Sequence, residues 1–163
     1  MKYDEKRMME DFLKRTFKIL EQYNAFEKEL NQEFYDVTLL TNCLFGIIVM
    51  PKSHWHKKFE NKKFNLNSED IKVTIGGKET TLEGYNVGFI MNSLRNSLAH
   101  WGDTRGGLHN GEKNIQFQLT NEIISGVIFE NKQTQLKINF QTIKSLKDFL
   151  NEFKNIIFDK NIN

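Results

Sequence analysis

The hydrophobic pattern of the N-terminal third predicts two helices. Apolar side chains recur at helical spacing from about Lys2 to Tyr23, and lysine, arginine and glutamate fill the other face. A soft break near Asn24-Ala25 precedes a second helix, from about Phe26 to Met50, which ends at Pro51 because proline cannot continue a helix. The second half of this helix is apolar nearly all round, so we expect it at the centre of the core.

Alternation with a period of two predicts strands in the middle and C-terminal parts of the chain. Ile71, Val73 and Ile75 alternate up to a Gly-Gly pair, which predicts a small hairpin returning through Thr80-Leu82. A three-stranded meander is predicted further on, with strands at 115–119, 123–129 and 136–140 and a turn at 131–133.

Two further helices complete the expected fold. Their predicted ranges are about Glu83 to Trp101 and about Thr142 to Phe158. The pattern therefore predicts a mainly α protein, a four-helix core with a small antiparallel β element made of the hairpin and the meander. The residues expected in one buried cluster are Leu40, Leu44, Ile47, Leu94, Leu98, Phe149 and Phe153.

Length, charge and cysteine content narrow the class of protein. The 163 residues suggest a single domain, 1–163, with a core large enough to fold alone. The formal net charge of +2 gives no global reason for tight nucleic-acid binding, so any RNA contact would have to be local. The one cysteine, Cys43, lies in an apolar run and fits a buried position in a reducing cytoplasm. Neither a signal peptide nor a membrane span is expected.

The segment Met91–Asp103 carries the most distinctive chemistry. Leu94 and Leu98 continue one apolar stripe, and Gly102 follows as a natural C-cap, so the segment is expected to end a helix. Arg95 and His100 would then lie about 140° apart around the helix and roughly 7.5 Å apart along it. Asn96, four residues before His100, could reach the imidazole ring.

The run Leu-Arg-Asn-Ser-Leu-Ala-His resembles the signature of the HEPN superfamily, the higher eukaryotes and prokaryotes nucleotide-binding domains. Arg95, Asn96 and His100 match its arginine, the neighbouring polar residue and the histidine after a short spacer. The stretch Val37–Pro51 also resembles the corresponding helix of a bacterial, plasmid-associated branch. The resemblance implies a HEPN-like four-helix bundle. Many members are metal-independent ribonucleases, and others only bind or dimerise.

Metal-independent RNA cleavage needs a base for the 2′-OH, an acid for the leaving 5′-oxygen and a cation for the phosphorane. Histidine suits the acid and base roles, and arginine suits the third role through its two-pronged contact with phosphate. Because Arg95 and His100 are one pair, two copies across a two-fold axis would supply a pair of each, as the resemblance also implies. No cofactor or metal is expected. The alternative is structural: a salt-bridged Arg95, a capping His100 and an exposed Asn96.

Two loops contain candidate RNA contacts. Lys57 and Lys58 lie among aromatic residues in a basic segment, which predicts either an RNA path or a solvated loop whose aromatics tuck onto the core. Arg105 and His109 follow the motif and are candidate auxiliary phosphate contacts or ordinary loop residues. His54-Trp55-His56 lacks the further ligands of a metal site.

Three functions remain open at this stage. The leading hypothesis is a homodimeric HEPN-type endoribonuclease, a toxin or phage-defence effector that acts on RNA. The second is a non-catalytic HEPN module that binds RNA or nucleotides, or only dimerises. The third is a plain interaction domain. Many HEPN toxins are paired with a nucleotidyltransferase-like antitoxin, so the resemblance also implies such a protein as a partner.

Overall fold

The computed structural model of the chain describes residues 8–30, 36–49, 59, 61–99, 114–121 and 123–158. The chain divides into two compact units, Met1–Pro51 and Lys52–Asn163. The prediction of one domain over residues 1–163 stays a prediction. Of the helices in the described ranges, none combines the length and apolar character that a membrane span needs.

The N-terminal unit contains α1 (Met8–Leu30) and α2 (Asp36–Leu44), and α2 continues into a π-helical turn, Phe45–Val49. The predicted break at Asn24-Ala25 is wrong, since α1 runs through both residues. Alanine is the best helix former and asparagine costs only a few tenths of a kcal/mol in a helix, so neither residue is a breaker.

Close packing in this unit depends on small and apolar side chains. Leu13, Phe17 and Leu20 form a buried stripe of α1. A Cβ added at Gly46 would lie 3.3 Å from the ring of Phe12, so the glycine leaves room for that ring beside the π-helical turn. Cys43 is buried as predicted, and this burial raises the pKa of its thiol, as expected for a cysteine that serves as a small hydrophobe.

The C-terminal unit is built on one antiparallel sheet. Its strands are β1 (Ile71–Ile75), β2 (Lys78–Thr80), β3 (Ile115–Thr120), β4 (Ile123–Asn131) and β5 (Leu136–Phe140), and their order is β2-β1-β5-β4-β3. Two helices, α3 (Val87–Ala99) and α4 (Ile143–Phe158), both pack against β4.

The predicted fold class is therefore wrong. The described residues form four α-helices and a five-stranded antiparallel sheet, not a mainly α bundle with a small β element. The individual strands were predicted close to their observed positions. The missing feature is the antiparallel pairing of β1 with β5, which places Ile71 opposite Phe140 and Val73 opposite Ile138 and so joins the hairpin and the meander into one sheet.

One face of the sheet is apolar across its strands. Val73, Ile138, Phe129 and Ile115 occupy neighbouring positions on four successive strands, and all four are buried. Phe149 of α4 packs on this face. Its ring centroid lies 5.2 Å from that of Phe140 and 5.3 Å from that of Phe64.

Close backbone approach also shapes β4. A Cβ added at Gly126 would overlap the carbonyl oxygen of Phe140, and its strand partner Gln118 adjoins the register shift between Gln118 and Leu119. Only glycine fits this position without displacement of the neighbouring chain.

All seven residues of the predicted cluster are buried. Three belong to the N-terminal unit and four to the C-terminal unit; they are Leu40, Leu44 and Ile47, and Leu94, Leu98, Phe149 and Phe153. Their burial is confirmed, whereas a single cluster made of all seven stays a prediction.

Truncation of the ring that joins α4 to the sheet should strongly destabilise the protein. Phe149→Ala removes both ring contacts from a fully buried site, so we expect a loss of about 3–5 kcal/mol in the free energy of unfolding. Urea denaturation followed by circular dichroism measures the loss. The matched control is Asn151→Ala on the exposed side of the same helix, which should leave the midpoint unchanged or slightly raised. Equal midpoints for the two variants would contradict the packing described.

Candidate functional site

The helix that carries the motif, α3, begins at a well-formed cap. The Oδ1 atom of Asn86 accepts a hydrogen bond of 2.9 Å from the backbone N–H of Phe89, which satisfies one of the free donors of the first turn. Gly84, at φ 78°, and a turn from Leu82 to Tyr85 precede the cap. The helix therefore starts four residues after the predicted Glu83, because this glycine turn cannot be helical.

The apolar stripe of α3 is buried as predicted and contains two polar residues. Ile90, Met91, Leu94 and Leu98 are at most 2% exposed. Ser93 and Ser97 are buried on the same side of the helix. Arg95 and Asn96 occupy the remaining arc, and both are partly exposed. Arg95 and Asn96 thus lie on the part of α3 that does not enter the core.

Arg95 and Asn96 are joined directly. The Nη1 atom of Arg95 donates a hydrogen bond of 3.0 Å to the Oδ1 atom of Asn96. The Nε atom of Arg95 is buried, and none of the described residues provides an acceptor for it. In the described part of the chain, no salt bridge joins Arg95 to a carboxylate. The alternative in which Arg95 serves only to form a salt bridge is therefore not supported by any ion pair among these residues.

The geometry adds a contact to the one expected for Asn96. The predicted contact with the His100 ring stays a prediction, because His100 lies outside the described residues. The carboxamide oxygen of Asn96 accepts the hydrogen bond from Arg95, which limits the directions in which the remaining N–H groups of the guanidinium can point.

A buried polar network ties α3 to the sheet, and sequence reasoning missed it. The Ser97 hydroxyl lies 2.9 Å from the carbonyl oxygen of Glu130 and 3.1 Å from that of Ser93. The Nδ2 group of Asn131 donates a 3.1 Å hydrogen bond to the same Ser93 carbonyl. The available signal was the pair of serines four residues apart on an otherwise apolar stripe, which marks polar groups that need buried partners.

The other predicted site residues lie outside the described residues: His100, Arg105, His109, Lys57 and Lys58. Their roles stay predictions, and so does the C-cap at Gly102. Within the described ranges, no three His, Cys, Asp or Glu side chains are grouped closely enough to hold a metal ion.

Comparison with known proteins identifies one family. The model of the family described as HEPN pEK499 p136 matches the chain over residues 1–163. No curated protein and no solved structure matches the chain.

Loss of the N-cap should loosen the start of the motif helix. Asn86→Ala removes the acceptor of the Phe89 N–H, and we expect it to lower the free energy of unfolding by about 1 kcal/mol. Urea denaturation measures the change. Asn86→Asp is the matched control, since it keeps an oxygen in the capping position and should remain close to wild type. An alanine variant as stable as the aspartate variant would show that the cap does not stabilise the helix.

Proposed function

Since the chain belongs to the HEPN pEK499 p136 family, we propose that it is a homodimeric, metal-independent endoribonuclease that acts as a toxin or phage-defence effector. Membership of a HEPN family supports the class of protein proposed here, because many HEPN domains are ribonucleases. The arrangement of Arg95 supplies the observation that carries the proposal.

Arg95 has the features of a phosphate-binding arginine. One of its five N–H donors is used by Asn96, and the buried Nε–H has no acceptor among the described residues. Because the Arg95 side chain is partly exposed, the N–H groups of Nη1 and Nη2 that Asn96 does not use are the donors proposed to meet a phosphate. The fork of an arginine can bind two phosphate oxygens at once, which suits a phosphorane that gains negative charge.

The remaining steps are assigned to the RNA and to His100. The 2′-oxygen attacks the adjacent phosphorus as a base removes its proton, and the bond from phosphorus to the 5′-oxygen breaks. An imidazolium of His100 gives its proton to that oxygen. The products are a 2′,3′-cyclic phosphate and a free 5′-hydroxyl. The second copy of the chain supplies a further His100 as the base and a further Arg95 as a cation.

A second candidate is a non-catalytic HEPN module that binds RNA or nucleotides, or only dimerises. The nearly balanced charge favours the form that only dimerises, because a net charge of +2 provides little general attraction for RNA. In either case we propose that RNA contacts are local, with Lys57, Lys58, Arg105 and His109 as the residues to test. A nucleotidyltransferase-like antitoxin is the proposed protein partner.

Removal of either motif side chain should abolish most cleavage. Arg95→Ala and His100→Ala should each reduce the rate on total RNA by about 10²–10⁴-fold, because each removes a group that acts only in the transition state. Arg95→Lys should remain impaired, since lysine keeps the charge and loses the planar fork. Gel analysis of RNA incubated in EDTA, with circular dichroism to verify folding, measures the effect.

The chemistry of the substrate gives the control for this experiment. A 2′-deoxy sugar at the scissile position removes the nucleophile, so that substrate should resist cleavage, and the products of ordinary RNA should carry 2′,3′-cyclic phosphates. Cleavage that requires Mg²⁺, or that survives in the His100→Ala protein, would remove the mechanism. A wild-type protein that binds RNA and leaves it intact would favour the non-catalytic module.

A site shared by two copies should make inactive protein dominant. Wild-type protein mixed with a tenfold excess of the His100→Ala protein, under conditions where subunits exchange, should lose nearly all its activity, because almost every dimer then contains an inactive copy. Light scattering of each sample measures the mass, with 19.3 kDa for one chain. Wild-type activity unaffected by the excess, in a protein that scatters as a monomer, would contradict the shared site.

A further inference from the structure

We propose that Ser97 is a positioning residue for Arg95: its hydroxyl fixes the turn of α3 that displays the guanidinium, without contact with RNA. The effect on cleavage rests on the function proposed above. The effect on Arg95 itself does not, and the two can be measured separately.

Ser93 and Ser97 bracket Arg95 in the helix. Each serine is two residues from Arg95, so each lies about 160–200° around the helix from it. Both serines are at most 2% exposed and face the interior, whereas Arg95 is partly exposed. This turn is therefore attached to the rest of the C-terminal unit on the side of the helix opposite Arg95.

The carbonyl oxygen of Ser93 has more hydrogen-bond donors around it than a carbonyl oxygen in a helix usually has. It accepts a hydrogen bond of 3.1 Å from the Nδ2 group of Asn131, in addition to the N–H that the helical pattern brings to it. The Ser97 hydroxyl also lies 3.1 Å away and shares its one hydrogen between this oxygen and the carbonyl oxygen of Glu130. A serine hydroxyl bonded to the carbonyl four residues earlier tends to bend a helix. The direction of the turn that carries Arg95 thus depends on these two side chains.

The other contact of Ser97 joins this turn to a strand. Its hydroxyl lies 2.9 Å from the carbonyl oxygen of Glu130 in β4, a strand paired on both sides by β3 and β5. At the next residue, the Oδ1 atom of Asn131 accepts the N–H of Gln133 at 3.0 Å and so fixes the turn into β5. The residues of β4 that bind α3, Glu130 and Asn131, are therefore themselves fixed by strand pairing and by the turn into β5.

Small displacements of this turn matter because the arginine is confined. The Nε atom of Arg95 is buried, and Asn96 holds Nη1, so the guanidinium has little freedom to correct a shift of its backbone. In enzymes, a misplacement of about 1 Å remote from the reacting atoms can cost about 10²-fold in rate. Loss of the Ser97 anchor should therefore reduce turnover more than RNA affinity.

The helix provides its own matched control. Ser97→Ala removes a hydroxyl that contacts two carbonyls, and Ser93→Ala removes a hydroxyl that has no partner in the described part of the chain. Both changes delete one buried oxygen, four residues apart on the same helix. Any difference between the two variants therefore reports the hydrogen bonds of Ser97 and not the loss of an atom.

The first measurement follows Arg95 without any assay of activity. In protein labelled with ¹⁵N-arginine, the Nε–Hε signal of Arg95 can be assigned among four arginines by its loss in Arg95→Lys. Because Nε is buried, its proton should exchange slowly with water in the wild type. We expect exchange at least about tenfold faster in Ser97→Ala, and exchange unchanged in Ser93→Ala.

The second measurement is the kinetics of RNA cleavage. Ser97→Ala should lower kcat by about 10–10²-fold with KM nearly unchanged, and Ser93→Ala should leave both constants as in the wild type. If the Ser97→Ala protein does not fold, Ser97→Cys decides, since it keeps a side chain of similar shape and replaces the hydroxyl with a much weaker donor. Faster Hε exchange in that variant would again support the proposal.

The outcomes separate the two proposals. Unchanged Hε exchange in the variant that decides, Ser97→Ala or Ser97→Cys, overturns the positioning role, whatever the cleavage rates are. Equal effects of Ser97→Ala and Ser93→Ala overturn it too. A wild-type protein that fails to cleave RNA, with faster Hε exchange in Ser97→Ala, would contradict the ribonuclease and support the positioning role of Ser97.

Discussion

The antiparallel pairing of β1 with β5 is the interaction on which the C-terminal unit depends. It joins a hairpin and a meander that are far apart in the chain, and it aligns Val73, Ile138, Phe129 and Ile115 into one apolar row. A two-stranded hairpin alone is marginally stable in water, whereas a five-stranded sheet offers an apolar face wide enough to bury. The packing of α3 and α4 on β4 follows from that face, and so does the position of the motif.

Local patterns were sufficient for most elements and insufficient for their assembly. The alternation of Ile71, Val73 and Ile75 predicted β1 correctly, because the period of side chains in a strand is visible in a few residues. The pairing of that strand with β5 was not predicted. Which strand pairs with which is set by packing between distant parts of the chain, and a short stretch of sequence does not contain that information. The opposite error occurred in α1, where Asn24-Ala25 was read as a break although both residues continue a helix at little cost.

The candidate site shows the same division. The placement of Arg95 and Asn96 outside the buried stripe of Leu94 and Leu98 followed from a short segment, because helical periodicity fixes which side chains share a face. The hydrogen bond from Arg95 to Asn96 was not predicted, since adjacent residues point in different directions on a helix and meet only through particular rotamers. The contact of Ser97 with Glu130 was also missed, because it joins elements whose proximity depends on the whole sheet.

The hydrogen bonds of Ser97 and Asn131 fix the rotation of α3 about its own axis, which apolar packing alone leaves free. The helix α3 packs against β4 and buries Leu94 and Leu98, but contacts between aliphatic side chains have little directional preference and tolerate small rotations of a helix about its axis. Hydrogen bonds are directional and lose strength within a few tenths of an ångström. The bonds of Ser97 and Asn131 therefore restrict the rotation that apolar packing leaves free, and this rotation determines where the guanidinium of Arg95 points. For the proposed ribonuclease, a net charge of +2 means that the attraction of phosphate would come from few groups in fixed directions, so the orientation of Arg95 would have the importance that a large basic surface has in other RNA-binding proteins.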